Sequence, residues 1–405
     1  MQTKTGLRKA GVLAAALAAL ALGWAAPAAA QQEPIVVGGT LGLTGVLSEA
    51  SSDYKAVYDL WLERVNAKGG LLDRPVKMVI YNDESTPTVA QSLYNRLLGE
   101  DNTDLVLAPF ATFVGGAVVP IVQSHQKLMF NGGFVGINIF KNAKGSIIGS
   151  YTYQEPDYTR GLFDLIKTLP ENERPTKIAI FTLQNPFTII VRDGLDGVGG
   201  ALKFAEEAGI PVVVNEQYPP NTTDFNGLVQ KAKAAGADMV LQLGLLNDTL
   251  QVARTIEQQA YEPRIFCTCG SQVTTVAAWP KLGSAAEGAF GSIPSWPTQD
   301  YEGLKDLAAY FKARGQDTLP TYAIVGYAIL QVLEQSVEGA GTLDQEKLKE
   351  YILSHEFRTV AGNIRYQADG TPEYSQVVIQ FVDGQNQVVW PAKFRTADPV
   401  IPPAP

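Results

Sequence analysis

Short apolar runs alternate along the chain with longer segments in which apolar residues recur every three or four positions. The short runs are rich in β-branched residues, which is typical of buried strands, whereas the longer period is typical of helices. In the first part of the chain, this pattern predicts strands at 35–40, 76–81, 105–109 and 128–130. It predicts helices between them, at 54–65, 88–99 and 114–125.

The segment 54–65 shows the helical pattern most clearly. Ser52 or Asp53 is available as its N-cap, and Gly69 and Gly70 are suited to end it. Its apolar residues would share one helical face: Tyr54, Val57, Tyr58, Trp61, Leu62 and Val65.

The same alternation then returns. Strands are predicted at 177–183, 212–216, 239–243 and 265–268, with helices near 188–208, 225–235 and 248–260. Strands that alternate with helices form parallel sheets through right-handed βαβ units. The sequence therefore predicts an α/β fold with two similar lobes.

The order of elements changes after residue 290. Helices are predicted at 300–314, 322–337 and 344–354. The last part of the chain, 362–390, is predicted to form hairpin strands with turns at Asp369-Gly370 and Asp383-Gly384.

Residues 1–30 have the three-part pattern of a secretory signal peptide. Lys4, Arg8 and Lys9 precede an apolar run at about 11–24, and Ala28-x-Ala30 supplies a cleavage site. The run is shorter than the ~20 residues of a transmembrane helix, although an uncleaved anchor is the alternative. We expect cleavage before Gln31.

The mature chain is expected to diffuse freely outside the cytoplasm. No cysteine precedes Cys267, which excludes lipid attachment at a new N-terminal cysteine. A soluble exported protein without an anchor needs an outer membrane to retain it, which indicates a Gram-negative periplasm.

Composition argues against nucleic-acid binding and against catalysis. The formal net charge is −9, whereas nucleic-acid binding requires clustered cations. The two histidines, His125 and His355, lie in helix-like segments, and no G-x-S-x-G motif is present. Cys267 and Cys269 lack a second ligand pair for a metal, and a spacing of two residues rarely suits a disulfide. We therefore expect no enzyme activity, no cofactor, no metal and no dependence on a disulfide.

A ligand is expected where the parallel strands end, because the loops there lead into helix N-termini. Thr112 and the N–H groups beside it could bind a carboxylate, although Thr112 could equally be a plain N-cap. The loop at Gly132-Gly133 would let a ligand approach the backbone, or would simply form a tight turn. Four phenylalanines in predicted loops could contact a ligand or pack at the hinge: Phe110, Phe113, Phe134 and Phe187.

Several segments together resemble a known family. LGLTG after the first strand is followed by a helix and strand reading NAKGGLLDRPVKMVIYNDESTP, with AGADMVLQLG and AGNIRYQADG further on. These segments resemble the branched-chain amino-acid (Leu/Ile/Val-binding) type of periplasmic solute-binding proteins, the receptors of ABC importers. The resemblance extends over essentially the whole mature chain.

The resemblance implies the type I periplasmic binding fold: two similar lobes, each a parallel sheet flanked by helices, hinged around a ligand cleft. The lobes would be joined by three crossings of the chain. Lobe one would comprise 31–150 plus about 290–355, and lobe two 151–289 plus about 356–405.

The resemblance also implies ligand-binding residues. The family binds a ligand carboxylate at the loops that match Ala111-Thr112 and Gly132-Gly133-Phe134, and an aromatic of its lobe-two loop falls near Phe187. On lobe two, Asn247 and Cys269 would complete the wall of the cleft.

One position departs from the family pattern. Amino-acid binders of this family place an acidic residue in the loop that here reads Thr268-Cys269-Gly270, and the nearest acidic lobe-two side chain is Asp248. A buried ammonium without a partner is costly. A carboxylate or amide with an apolar or aromatic body is therefore expected rather than a standard α-amino acid.

The function predicted from the sequence is that of a monomeric periplasmic receptor. It would bind a small organic ligand, which could be an amino acid, an aromatic or aliphatic carboxylate, or an amide, and present it to an inner-membrane ABC permease. A ligand-binding receptor of a signalling system is the first alternative, and an extracytoplasmic hydrolase is the second.

Overall fold

The computed structural model describes residues 33–268 and 273–403. The predicted signal peptide lies outside these residues. Within the described ranges, no helix has the length and apolar character needed to cross a membrane.

The first sheet has five strands, all parallel, in the order β2-β1-β3-β4-β5. The strands are β1 (Ile35–Leu41), β2 (Val76–Asn82), β3 (Leu105–Leu107), β4 (Met129–Asn131) and β5 (Ile147–Gly149). The helices between them are α1 (Ser48–Ala67), α2 (Pro87–Gly99), α3 (Thr112–Ser124) and α4 (Ile137–Ala143). This sheet and its helices form lobe one.

The remaining strands form a second, larger sheet and a small hairpin. In chain order they are β6 (Ile178–Leu183), β7 (Val212–Tyr218), β8 (Met239–Leu243), β9 (Ile265–Cys267), β10 (Phe290–Ile293), β11 (Phe357–Thr359), β12 (Gly362–Ile364), β13 (Val377–Val382) and β14 (Gln385–Trp390). The second sheet has the order β14-β13-β10-β9-β8-β6-β7 and defines lobe two. Neighbouring strands pair in parallel except at β10–β13 and β13–β14, and β13 and β14 form the antiparallel hairpin predicted at Asp383-Gly384.

In the described ranges, eight further helices follow the first four. They are α5 (Arg160–Thr168), α6 (Pro186–Asp193), α7 (Ala201–Glu207), α8 (Asn226–Ala234), α9 (Leu246–Gln258), α10 (Leu304–Lys312), α11 (Thr321–Ala340) and α12 (Gln345–Ser354). Short 3-10 turns lie at Glu155–Asp157, Glu171–Glu173, Val273–Thr275, Pro280–Ala286 and Ala392–Phe394.

The predicted α/β fold of two lobes is confirmed, whereas two local predictions were wrong. Helix α1 begins at Ser48, so Ser52 and Asp53 lie inside it and cap nothing. The helix predicted at 188–208 is divided into α6 and α7, because Gly194 and Gly200 have positive φ angles and end one helix and begin the next.

The pairing of the late strands bears on the division of the chain between the lobes. Strand β10 pairs with β9 and β13 in the second sheet, whereas β11 contacts α11, which packs against α1 of lobe one. These contacts favour lobe boundaries between Ile293 and Leu304 and between Ile364 and Val377. Both would lie slightly later than the predicted boundaries at 290 and 356.

Close packing of α11 against lobe one depends on a glycine. A Cβ atom added to Gly326 would lie 2.6 Å from Cδ1 of Tyr54. The Tyr54 ring is buried, and its hydroxyl donates a hydrogen bond to the carbonyl of Gly132 at 2.6 Å. The ring therefore has little freedom to move aside.

We predict that Gly326→Ala lowers the free energy of unfolding by roughly 1–3 kcal/mol, because the methyl group overpacks the contact with Tyr54. Urea unfolding of the purified protein measures the change. Gly227→Ala in α8 is the matched control, because a Cβ there meets no atom within 4 Å. This control is expected to be neutral or stabilising by up to about 1 kcal/mol. Equal stability of Gly326→Ala and the wild type would contradict the packing argument.

Candidate functional site

A cavity of about 350 Å³ lies between the two lobes, where strands of both sheets end. Its wall on lobe one comes from the start of α1 and from the loops after β3 and β4. The wall on lobe two comes from the loop after β6 and the start of α9, and Tyr151 and Tyr158 contribute from the first crossing. The cavity therefore lies where the parallel sheets were expected to place a ligand.

The first turn of α3 forms one end of this cavity. Ala111, which precedes the helix, has a φ of 74°, which is unusual for a residue with a side chain. Its N–H donates to the carbonyl of Gly133, and its own carbonyl accepts from the N–H groups of Val114 and Gly115. Within the described part of the chain, the N–H groups of Thr112 and Phe113 donate no hydrogen bond. They remain available to an oxygen atom of a ligand.

Thr112 lines the cavity, but its hydroxyl is already engaged. It donates to the carbonyl of Val135 at 2.8 Å and so joins the loop after β3 to the loop after β4. The hydroxyl oxygen can still accept a hydrogen bond. The donors that face the cavity here are therefore backbone N–H groups.

The loop after β4 is fixed by the buried side chain of Asn131. Its Oδ1 accepts from the N–H groups of Gly133 and Phe134 at 3.0 Å each, and its Nδ2 donates to the carbonyl of Phe134 at 2.9 Å. Gly133 lines the cavity, and a Cβ there would collide with the carbonyl of Pro109. Gly132 instead faces α11, where a Cβ would lie 2.8 Å from the carbonyl of Val325.

Phe134 reaches the cavity from within the core of lobe one. It is 2% exposed, and its ring contacts Phe140 with centroids 6.3 Å apart. A Cβ on Gly115 would collide with the Phe134 ring. The side chain of Phe134 therefore packs mainly in the core of lobe one, and part of it also lines the cavity.

Two groups of aromatic rings enclose the cavity. On lobe one, Phe110 contacts Tyr54 and Tyr322 with centroids 5.3 and 5.1 Å apart. Toward lobe two, Tyr158 contacts Phe187 with centroids 5.1 Å apart. Three tyrosines of the lining, Tyr151, Tyr158 and Tyr322, were absent from the predicted site.

The wall on lobe two is mostly apolar. Leu245 and Leu246 line it, whereas Asn247 is exposed and lies outside the lining. The carboxylate of Asp248 accepts from the N–H of Leu245 and from the hydroxyl of Tyr218, which holds it within lobe two.

Cys269, the remaining predicted site residue, lies outside the described residues. Cys267 is disulfide-bonded, so the expectation that its spacing disfavours a disulfide was wrong. In the ranges that the structure covers, no group of His, Cys, Asp and Glu residues could hold a metal ion.

The structure thus gathers five of the eight predicted residues around one cavity: Ala111, Thr112, Gly133, Phe134 and Phe187. Gly132 and Asn247 do not line it. Their roles in binding stay predictions.

The charge of the cavity comes from α1. Glu49 is the charged residue among the described lining residues, and no lysine or arginine of the described chain lines the cavity. Asp53 lies one turn further along α1 and is 7% exposed. Its burial, together with the negative charge of Glu49, raises the pKa of Asp53 to about 7.

We predict that Asp53→Asn stabilises the protein at about pH 8 but has little effect near pH 4. A raised pKa in the folded state means that folding favours the protonated acid, so stability falls as the pH rises from about 4 to 7. Asn does not ionise and therefore removes that loss of stability. The free energy of unfolding at about pH 8 is expected to rise by roughly 2–4 kcal/mol, since one pKa unit corresponds to about 1.4 kcal/mol. Urea unfolding at both pH values measures the gain in stability. Glu63→Gln, an acid-to-amide change at an exposed position of α1, is the control. A gain of the same size at both pH values would contradict the prediction.

Comparison with known proteins agrees with this geometry. The family model of the periplasmic binding proteins matches residues 34–386. A leucine-, isoleucine-, valine-, threonine- and alanine-binding protein of Pseudomonas aeruginosa is 25% identical over 337 residues, which cover 81% of this chain and 84% of the relative.

Solved structures show the same fold. A leucine-binding protein of Thermotoga maritima superposes with a TM-score of 0.72 at 17% identity, covering 87% of this chain and 97% of the other. A solute-binding protein of an ABC transporter from R. palustris, solved with benzoate, superposes with a TM-score of 0.76 at 16% identity, covering 91% and 99%.

The expectation of a non-catalytic protein is confirmed, since this family consists of solute-binding proteins and not of enzymes. The family model covers most of the chain, and the relatives identify the subgroup. The protein therefore belongs to the periplasmic binding proteins, and within them to the branched-chain amino-acid type.

Proposed function

We propose that this protein is the periplasmic receptor of an ABC importer and that it carries a small organic ligand between its two lobes. The ligand would be an amino acid, an aromatic or aliphatic carboxylate, or an amide. The observation that carries this proposal is the cavity between the lobes, with two available N–H groups at one end and apolar or aromatic side chains around the rest.

The two lobes would have different tasks. On lobe one, the N–H groups of Thr112 and Phe113 would bind a ligand oxygen, and Gly133 would allow close approach. On lobe two, Phe187, Leu245 and Leu246 would contact the apolar body. A ligand shifts the protein toward a closed form only if it contacts both lobes in that form.

Exposed apolar residues beside the cleft support closure. Val46 and Phe113 of lobe one are 73% and 46% exposed, and Leu245 of lobe two is 39% exposed. All three line the cavity. Bringing the lobes together would remove this apolar surface from water, and each Å² buried would stabilise the closed form by about 25 cal/mol.

The names of the relatives support the ligand classes. One relative binds leucine, isoleucine, valine, threonine and alanine, and one structural neighbour was solved with benzoate. By extension, we propose the periplasm as the location of this protein, cleavage of its signal peptide before Gln31, action as a monomer, and an inner-membrane permease as its partner.

We predict that a screen of amino acids, aromatic acids, short-chain acids and amides finds a compound that raises the melting temperature of the mature protein. A ligand at 100 times its Kd stabilises the folded state by about 2.7 kcal/mol. For a protein of this size, that corresponds to a shift of several degrees. Differential scanning fluorimetry measures it, and transport of the same compound by cells with and without the gene tests the link to import. A screen without any stabilising compound would refute the proposed ligand classes.

We predict that Thr112→Trp abolishes binding of a compound found in this screen, because the indole ring occupies the cavity beside the first turn of α3. A loss of affinity of at least about 100-fold is expected from steric exclusion of the ligand, which corresponds to about 2.7 kcal/mol of binding free energy. Thr112→Ser is the matched control, because it keeps the hydroxyl that donates to Val135. Isothermal titration calorimetry gives both affinities. Unchanged affinity in Thr112→Trp would remove this loop from the site.

A further inference from the structure

We propose that the Tyr158 hydroxyl and the Asn185 side-chain amide form a hydrogen-bonding subsite on the lobe-two side of the cleft. The subsite would bind a neutral oxygen of the ligand, a carbonyl or a hydroxyl, at the end remote from its carboxylate. This inference rests on the proposed function, because it assigns one part of the same cleft. It narrows the ligand to compounds that carry a second oxygen function.

Tyr158 carries a hydroxyl that no protein group satisfies. The residue lines the cavity and is 5% exposed. Among the described residues, its hydroxyl has no hydrogen-bond partner, whereas that of Tyr151 pairs with Tyr54 and that of Tyr153 donates to the carbonyl of Ser292. The Tyr158 hydroxyl is also not fully enclosed by protein. A residue this buried reaches open space through the cavity that it lines, so its hydroxyl is available to a ligand.

Two aromatic neighbours hold the ring of Tyr158 in place. Its centroid lies 4.9 Å from that of Tyr153 and 5.1 Å from that of Phe187, and both contacts are edge to face. Burial raises the pKa of the Tyr158 hydroxyl well above its usual value, so the group is protonated at neutral pH. It can therefore donate a hydrogen bond to a ligand from a fixed position.

Asn185 offers a second donor at the same wall, where β6 leads into α6. Its Oδ1 accepts from the N–H of Thr188 at 2.9 Å. An N–H group can only donate, so this contact identifies the oxygen and orients the amide. The Nδ2 group meets no acceptor within the described ranges and is left to a ligand. Phe187, two residues further on, contacts the Tyr158 ring, which brings both donors to one side of the cleft.

The charge of the cavity favours a neutral oxygen over a second carboxylate. Tyr158 and Asn185 are both neutral donors. No lysine or arginine of the described chain lines the cavity, whereas Glu49 does. A second carboxylate would lose its water without gaining a cation, and the charge of Glu49 would repel it. A carbonyl or hydroxyl oxygen can accept the hydrogen bonds without that cost.

The two donors would select against ligands whose remote end is purely apolar. When the lobes close on such a ligand, the hydroxyl and the amide lose their water and gain no partner. A buried donor left in this state costs more than an average hydrogen bond contributes. An oxygen on the ligand removes that cost, so the discrimination comes mainly from rejection of the wrong ligand.

The subsite lies across the cleft from the available N–H groups of lobe one. Those of Thr112 and Phe113 border the same cavity. A carboxylate bound there would leave the rest of the ligand directed toward lobe two, where its second oxygen would meet Tyr158 and Asn185. Such a ligand makes polar contacts on both sides of the cleft, and these contacts favour the closed form.

The experiment compares ligands that differ only in the remote oxygen. The matched pairs are hexanoate and 5-oxohexanoate, 3-phenylpropanoate and 3-(4-hydroxyphenyl)propanoate, and L-phenylalanine and L-tyrosine. Isothermal titration calorimetry of the mature protein is expected to show at least one pair in which the oxygen-bearing compound binds about tenfold or more tightly. Hexanedioate, which carries a second carboxylate, is expected to bind no more tightly than 5-oxohexanoate.

Variants of the two donors test the residues themselves. Tyr158→Phe removes the hydroxyl and keeps the ring, whereas Asn185→Asp keeps the oxygen that accepts from Thr188 and removes the amide nitrogen. Each variant is expected to lower the preference for the oxygen-bearing compound at least about threefold. Both members of a pair carry a carboxylate, so the new charge of Asn185→Asp affects both and the ratio of their affinities still reports the hydrogen bond.

Two controls separate the hydrogen bond from a structural effect. Tyr158→Phe is expected to change the affinity of the compound without the remote oxygen less than about twofold, because the ring contacts remain. Tyr374→Phe removes a hydroxyl that contacts Gln376 outside the cavity lining, and it is expected to alter neither affinity. Thermal unfolding confirms that each variant is folded.

The opposite results would overturn the proposal. If the members of every pair bind equally, or if the variants weaken both members equally, the subsite is refuted and the receptor function stands. Tighter binding of hexanedioate than of 5-oxohexanoate would refute the preference for a neutral oxygen.

If none of these probes binds, the wider screen decides. A ligand found there without a second oxygen refutes the subsite, and a ligand with one is compared in the same way with its analogue that lacks it. If the wider screen also finds no ligand, the proposed function falls as well.

Discussion

The hydroxyl of Tyr54 joins three parts of the molecule that would otherwise be independent. It donates to the carbonyl of Gly132 in the loop after β4 and lies 3.1 Å from the hydroxyl of Tyr151 in the first crossing. Its ring contacts Phe110 on one side, and Gly326 of α11 leaves room for it on another. Buried hydroxyl groups require partners, so this network fixes the relative positions of α1, the ligand loop and the crossing. The lobe-one wall of the cleft depends on that arrangement.

The fold could be predicted because its main signal is periodic. Parallel strands that are buried on both faces show as short β-branched runs, and the helices between them repeat every three or four residues. The periodic signal does not show where a helix ends or begins when backbone geometry determines that end. Glycines with positive φ divide α6 from α7, and the first turn of α1 consists of residues without an apolar repeat.

The candidate site was only partly visible in the sequence. Loops between strands and helices indicated Ala111, Thr112, Gly133, Phe134 and Phe187, because each follows a predicted strand. Tyr151 and Tyr158 lie in an irregular crossing, and Tyr322 lies at the start of a helix distant in the chain. Glu49 was hidden for a different reason: a lone acidic residue before an amphipathic segment usually indicates a solvated first turn, and only the fold brings it to the cavity.

The unequal walls of the cleft have a consequence for the timing of binding. Lobe one carries the available N–H groups and the carboxylate of Glu49, whereas lobe two presents Phe187, Leu245 and Leu246. A ligand would first dock on lobe one through directional contacts, and lobe two would then cover it through contacts that depend on shape. The residence time would therefore be governed by how well lobe two packs on the ligand body. Changes in those three side chains could alter how long different ligands stay bound while the polar contacts that orient them remain the same.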